Sequence, residues 1–298
     1  MIPALFLYVS LVNDVRGLIA RNDLAAAEAL ARSNEARSGS TSEAAAAMSW
    51  VARAWLNAKQ YDKADRLAAE TTKLAEGVLR NRKLDADPWL PTAVGAAIEV
   101  HGQALAGRGQ RAEAVAYLRE QLAAYRGTSI AERIGKNINL LSLEGKVAPA
   151  LNIQEHLGTT VPRPLVALRG HPVLLFFWAH WCSDCKALAP VVASLMRTYG
   201  PQGLVLVAPT RRYGYVAGGE DASPAAERQY IEKVRAQYYG VLPPTTPMPM
   251  SEANFLAYGA SSTPTLALID AAGVVRYYHP GAASEAELAS WIQKLLKK

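Results

Sequence analysis

The stretch Phe176-Phe177-Trp178-Ala179-His180-Trp181-Cys182-Ser183-Asp184-Cys185-Lys186 constrains this chain more than any other. The apolar run at residues 173–178 has the length and content of a buried strand. Two cysteines come next at C-x-x-C spacing, and the residues from Cys185 to Tyr199 read as a helix. A strand running into a C-x-x-C at a helix start is a redox arrangement. The first cysteine sits where unpaired backbone N–H groups and the positive end of the helix dipole favour a thiolate. The second lies one turn away, within reach of a disulfide. The chain has two cysteines, so no other internal pairing is available.

The segment from Phe176 to Cys185 resembles the active-site segment of thioredoxin-like proteins, and more closely that of extracytoplasmic thiol–disulfide oxidoreductases of the TlpA/ResA kind. A second element is Ser262-Thr263-Pro264-Thr265-Leu266-Ala267-Leu268-Ile269-Asp270, followed by Gly273-Val274-Val275. In that family a Thr-Pro before a strand holds a cis proline facing the cysteines. A third is Leu168-Arg169-Gly170-His171-Pro172, similar to the family's turn into the central strand. The resemblance covers residues 143–298. It implies an α/β thioredoxin-like domain, a central mixed sheet flanked by helices, with Cys182 and Cys185 as the catalytic pair. Trp181, Thr263 and Pro264 would then contact the substrate.

A length of 298 residues suggests two domains. We divide the chain into an all-helical domain, residues 1–142, and the thioredoxin-like domain, residues 143–298, with an insertion around 210–260. Half the residues are apolar, enough for real cores. The net charge of +6 is split evenly between the two parts, with no basic block, so a nucleic-acid partner is not expected. Residues 2–12 are apolar but too short to span a bilayer. They read as a first packing helix, or as the remainder of a leader or membrane anchor. The resemblance favours the periplasm or another extracytoplasmic space.

The first part is alanine-rich, with helical periodicity and a recurring theme. Arg21-Asn22-Asp23-Leu24, Lys59-Gln60-Tyr61-Asp62 and Arg108-Gly109-Gln110-Arg111 are polar turns, each before an alanine-rich helix. Ala27, Ala64 and Ala114 correspond, which predicts three antiparallel helix pairs. Trp55-Leu56-Asn57-Ala58 resembles tetratricopeptide packing. Trp50, Trp55 and Trp89 are expected to fill gaps between helices. Ser40 and Glu43 have capping-box spacing, Asp87-Pro88 reads as a cap with proline behind it, and Gly107 and Gly127 as stops. Such a domain is either a docking surface for a partner protein or a spacer.

Residues 145–164 are a boundary region in which the resemblance implies a short added hairpin. His156 reads there as a surface residue. Residues 203–208 form a second strand. Residues 265–269 and 274–278 form an antiparallel pair, and a last helix starts at Ser284 with Glu287 at capping-box spacing. The insertion reads as a flexible loop (211–221), a helix opened by Ser223-Pro224 and ending near Tyr239, a polyproline-like stretch (243–250) and a short helix (251–258).

The expected activity is exchange of the Cys182–Cys185 dithiol with disulfides of partner proteins, with the protein as reductant and no cofactor. One C-x-x-C supplies two of the four ligands of a zinc site, and the neighbouring His180 lacks a companion, so no metal is expected. Thioredoxins carry a buried acid on the central strand, and Phe176 occupies the matching position here. Asp184 places a negative charge beside Cys182, which favours a more reducing pair. Two other functions remain open. One is an interaction module with a vestigial redox domain. The other is a thiol peroxidase of the AhpC/TSA kind, although the Thr-x-x-Cys signature of that class is missing around Cys182.

Overall fold

The structure is a computed structural model, and it describes residues 10–297. Most of the apolar stretch at residues 2–12 lies outside them. The chain divides into two compact units, residues 1–137 and 138–298. The expected boundary at 142/143 falls five residues later, because one continuous helix carries the chain across.

The first unit is built from helices α1 (Leu11–Ala20), α2 (Leu24–Ser38), α3 (Ser42–Asn57), α4 (Tyr61–Leu79), α5 (Trp89–Gly107) and α6 (Arg111–Ala124), and from most of α7 (Ala131–Ser142). The three polar turns close the α1–α2, α3–α4 and α5–α6 hairpins in one geometry. Asn22, Lys59 and Gly109 each adopt positive φ. The next residue then donates its N–H to a carbonyl five positions back: Asp23 to Leu18, Gln60 to Trp55 and Gln110 to Leu105. These bonds satisfy carbonyls that a helix end otherwise leaves orphaned. Ala27, Ala64 and Ala114 are all fully buried behind the turns. Gly107 ends α5, and the ring of Tyr61 fills the space its Cβ would need.

One expectation for this unit is corrected. The cap of α3 is Thr41, whose hydroxyl accepts from the Ala44 N–H, while Glu43 accepts from Ser10 Oγ. The core of the unit includes Ala44–Ala47, Met48, Leu67 and Leu90, and the three tryptophans are half-buried around it. Trp50 is half-buried between the guanidinium groups of Arg16 and Arg53, and Trp55 lies under the Lys63 ammonium at 3.7 Å. An indole beside a cation gains electrostatic contact at the surface that an apolar interior cannot give.

The second unit holds a four-stranded sheet in the order β3 (Val205–Val207), β2 (Val173–Phe177), β5 (Thr265–Ile269), β6 (Val275–Pro280). β2 runs parallel to β3 and antiparallel to β5, which pairs antiparallel with β6. Every residue of β2 is buried, and its pleat feeds two cores. Leu174 and Phe176 face α8 (Ser183–Tyr199) and α11 (Glu285–Leu296), whereas Leu175 and Phe177 face α10 (Glu252–Tyr258). The expected capping box opens α11, with Ser284 and Glu287 each accepting from the other's backbone.

Between β3 and β5 come α9 (Pro224–Val234), a π-turn (Arg235–Tyr239), the two-residue β4 (Met248–Pro249) and α10. The expected hairpin before the core is not formed. The two-residue β1 (His156–Leu157) instead pairs antiparallel with β4. The polyproline reading of 243–250 is corrected with it, since its C-terminal half is hydrogen-bonded on both sides. Pro247 and Pro249 accept from the N–H groups of Ala208 and Thr210, which prolong β3, while the Met250 N–H donates to Glu155. Alternation puts proline, which has no N–H, only where none is required. On the opposite rim, residues 144–148 bond along β6. Gly145 and Lys146 pair with Val275, Ala148 donates to Gly273, and the Glu144 carboxylate accepts from the Tyr278 N–H.

Glu99 ties α3, α5 and α7 together within the first unit. Its carboxylate is buried and accepts from Arg53 (2.9 Å), Arg133 (3.0 Å), Lys136 (3.3 Å) and Asn137 (3.2 Å). Burial raises its pKa, but the charges of Arg133, Lys136 and Arg53 outweigh burial and hold it well below the usual carboxylate range. A depressed folded-state pKa gives stability that is present above the unfolded value of about 4.3 and is lost as pH falls below it. Glu99→Ala leaves three crowded cations without a counter-charge. The helical unit is expected to lose about 3 kcal/mol at pH 7, read as an earlier urea midpoint by circular dichroism. The loss shrinks as pH falls from about 4.3 toward about 2, and an equal loss at pH 7 and at about pH 2 rules out the charge explanation.

Candidate active site

β2 delivers the chain to the site, and the residues just beyond it set the position of the first cysteine. Trp178 is fully buried, its indole N–H donating to the Ala208 carbonyl at 3.0 Å and its ring stacked on Tyr239 at 4.1 Å. Thr210 Oγ1 donates to the Trp178 carbonyl at 2.9 Å. With both ends of Trp178 held, the chain leaves the sheet and enters α8 at Cys182. The helix opens at Ser183, two residues earlier than expected, with Cys182 as its N-cap.

Cys182 and Cys185 form a disulfide across the first turn. The Cys185 N–H donates to Cys182 Sγ at 3.0 Å, so the sulfur takes the place of a capping oxygen. Cys182 keeps 3% of its surface and Cys185 none, so an attacking or attacked sulfur is reached only at Cys182. The Thr263–Pro264 peptide is cis, and the Thr263 carbonyl oxygen lies 3.3 Å from Cys182 Sγ. Trp181 is 48% exposed beside the pair, and its ring meets the edge of Tyr213 at 5.5 Å. The five residues singled out in the sequence therefore fall in one place. Phe176 is fully buried beneath them, within the same core as Cys185 and Tyr239.

A neighbouring group was not anticipated. The His180 and Glu227 side chains are each 1% exposed, with Nε2 facing Oε1 at 3.5 Å. Burial holds the His180 pKa below its usual value, against the pull of Glu227, so the ring is neutral at pH 7. Glu227 also accepts the backbone N–H groups of Tyr213 and Gly214. The 211–221 loop, expected to be flexible, is thus anchored from inside by a carboxylate. Nothing local marks Glu227 in the sequence, because Pro224-Ala225-Ala226-Glu227 reads as an ordinary acidic first turn. The Lys186 ammonium lies 4.7 Å from the Tyr238 ring centre.

Residues 165–296 match the family of thioredoxin-like domains, so the second unit contains a thioredoxin-like domain. A thiol:disulfide interchange protein DsbE of Xylella fastidiosa is 26% identical over 149 residues, covering 48% of this chain and 64% of the relative. This chain thus spans less than two-thirds of that relative's length. Thioredoxin-like protein YneN of Bacillus subtilis is 27% identical over 146 residues, 49% of this chain and 76% of that one. Among solved structures, a thiol:disulfide interchange protein of the thioredoxin family from Chlorobium tepidum is 19% identical, with a TM-score of 0.39, covering 51% of this chain and 96% of that one.

Exposure and the helix terminus both distinguish the two sulfurs. After reduction by dithiothreitol, sub-stoichiometric iodoacetamide at pH 7 is expected to label Cys182 ahead of Cys185 in peptide mass spectra. The labelling rate at Cys182 should have a pH midpoint below about 8.5, the value of a free thiol. Equal labelling of both cysteines removes the asymmetry.

Proposed function

We propose that this protein is a thiol–disulfide oxidoreductase that reduces disulfides in partner proteins. The observation that carries this reading is the Cys182 sulfur, set at a helix N-terminus between the Cys185 N–H and the Thr263 carbonyl, in the one residue of the pair that keeps any accessible surface. In the reduced protein the Cys182 thiolate attacks one sulfur of the partner disulfide. A mixed disulfide forms, and the partner's other sulfur leaves as a thiolate and takes up a proton. Cys185, deprotonated, then attacks Cys182 Sγ and releases the second partner thiol. Two electrons have passed to the partner, and the protein is left with the Cys182–Cys185 disulfide. With Phe176 in place of a buried acid, the Cys185 proton leaves to water or to another group.

Trp181, Thr263 and Pro264 are assigned to partner contact, Trp181 as a flat apolar surface and the Thr263–Pro264 backbone as a pairing edge. The reductant direction rests on Asp184, a negative charge in the first turn of α8 that disfavours the Cys182 thiolate. The helical unit is assigned as a tetratricopeptide-like docking module. The shared geometry of its three turns and the buried alanines behind them support that reading. The resemblance to TlpA-type proteins supports an extracytoplasmic location. Among the described residues, no helix is long and apolar enough to cross a membrane.

Insulin disulfide reduction driven by dithiothreitol tests the activity. Cys182→Ser should abolish the acceleration over the uncatalysed rate, and Cys185→Ser should accumulate a mixed disulfide with insulin, visible by non-reducing electrophoresis. An unchanged rate in Cys182→Ser refutes the proposal and returns the vestigial-domain reading.

A further inference from the structure

A histidine two residues before the first cysteine has no need to be buried, yet His180 is shut away completely. The insertion encloses it. Tyr213, Tyr215 and Tyr230 present their rings to it edge-on, with centroids 5.3–5.5 Å away. Behind it sits Glu227, a carboxylate with no solvent access whose oxygens hold the backbone N–H groups of Tyr213 and Gly214. Burying a carboxylate costs several kcal/mol unless its oxygens are taken up by donors. Glu227 meets that condition by gripping the loop. Tyr213, the residue it grips, is the one whose ring meets the exposed Trp181 at 5.5 Å. The Arg211 guanidinium lies 4.8 Å from the centre of the same ring. The chain of contact therefore runs from the helix of the insertion, through Glu227 and the loop backbone, to the side chain flanking Cys182.

We infer that His180 and Glu227 are positioning residues that pin the 211–221 loop against the redox motif, so that Tyr213 and Trp181 form one fixed wall of the groove receiving the partner polypeptide. The inference rests on the proposed oxidoreductase reading for its substrate but not for its geometry. The sulfur of Cys182 is held instead by the Cys185 N–H and the Thr263 carbonyl. The pin acts on which polypeptides fit beside Cys182, and it leaves the exchange chemistry alone. A small disulfide or dithiol, which needs no wall, is indifferent to it.

The test uses the full chain with His180→Phe, which keeps an aromatic ring among the tyrosines, and Glu227→Gln, which keeps the shape and one acceptor. Three measurements are made at pH 7. The first is tryptic cleavage after Arg211 and Arg212 in the native protein, quantified by mass spectrometry. Cleavage follows local opening, and Glu227→Gln, which loses a charged hydrogen bond to the loop, is expected to speed it about tenfold, whereas His180→Phe acts through the packing of the tyrosine rings and speeds it less. The second is the split of KM and kcat for insulin. KM should rise about tenfold while kcat stays within about twofold, the pattern of lost uniform binding. The third is the reduction potential of the cysteine pair against glutathione, expected to match the wild type. Glu227→Asp should recover part of the insulin KM.

Cleavage at the wild-type rate in both variants overturns the pin. So does a fall in kcat or a shifted potential with KM unchanged, which assigns the pair to the chemistry. If either variant loses its circular dichroism signal, Tyr213→Ala, which leaves the buried pair in place, must raise the insulin KM for the inference to stand. If the wild type reduces no insulin, the proposed activity fails, and the cleavage measurement alone decides whether the loop is pinned.

Discussion

The Cys185 N–H donating to Cys182 Sγ at 3.0 Å is the contact on which the rest of the site depends. It requires a helix to begin at Ser183, and therefore a strand to end at Phe177 and a short connection to turn the chain. That turn holds because Trp178 is clamped at its indole by Ala208 and at its carbonyl by Thr210. Both clamps lie on the continuation of β3, so the parallel β2–β3 pairing fixes the sulfur's position as well as the core. The cis peptide before β5 then brings the Thr263 carbonyl against the same sulfur from the other side.

The insertion departs most from the minimal fold and contributes most to the site's surroundings. Its π-turn lays Tyr239 against Trp178, filling the volume behind the motif with an aromatic ring. Burial pushes the Tyr239 hydroxyl far above its usual pKa, so it remains protonated. Phe176 and Tyr239 together make the space beneath the cysteines apolar. The polar groups around it, His180, Glu227 and Lys186, lie at the flank. One element, α9 with its π-turn, thus supplies both an uncharged floor and a buried acid at the side.

Much of this architecture is readable from residue order. A five-residue run without polar alternation followed by C-x-x-C specifies strand, turn and helix, because a half-exposed strand would alternate. Thr263-Pro264 before a second apolar run locates the other half of the site, 81 residues from Cys182. Three polar turns locate the helical hairpins, since Asn and Gly tolerate the left-handed backbone a helix end needs; Lys59 does the same with no such signal. The features that residue order hides depend on contacts between distant segments. Glu227 looks like any first-turn acid until the fold brings it to His180. Pro243 to Pro249 looks like an isolated extended stretch until β1 and the end of β3 arrive on either side.

The two rims of the sheet have a further consequence. Residues 144–148 lie along the free side of β6, and Pro247 and Pro249 accept the outward N–H groups beyond β3. Strand-by-strand recruitment of another polypeptide, the route by which open sheets aggregate, finds these flanks already occupied. The backbone at Thr263, beside the sulfur, is the edge that the proposed function gives to an incoming extended segment. A sheet closed in this way resists uncontrolled edge-to-edge self-association.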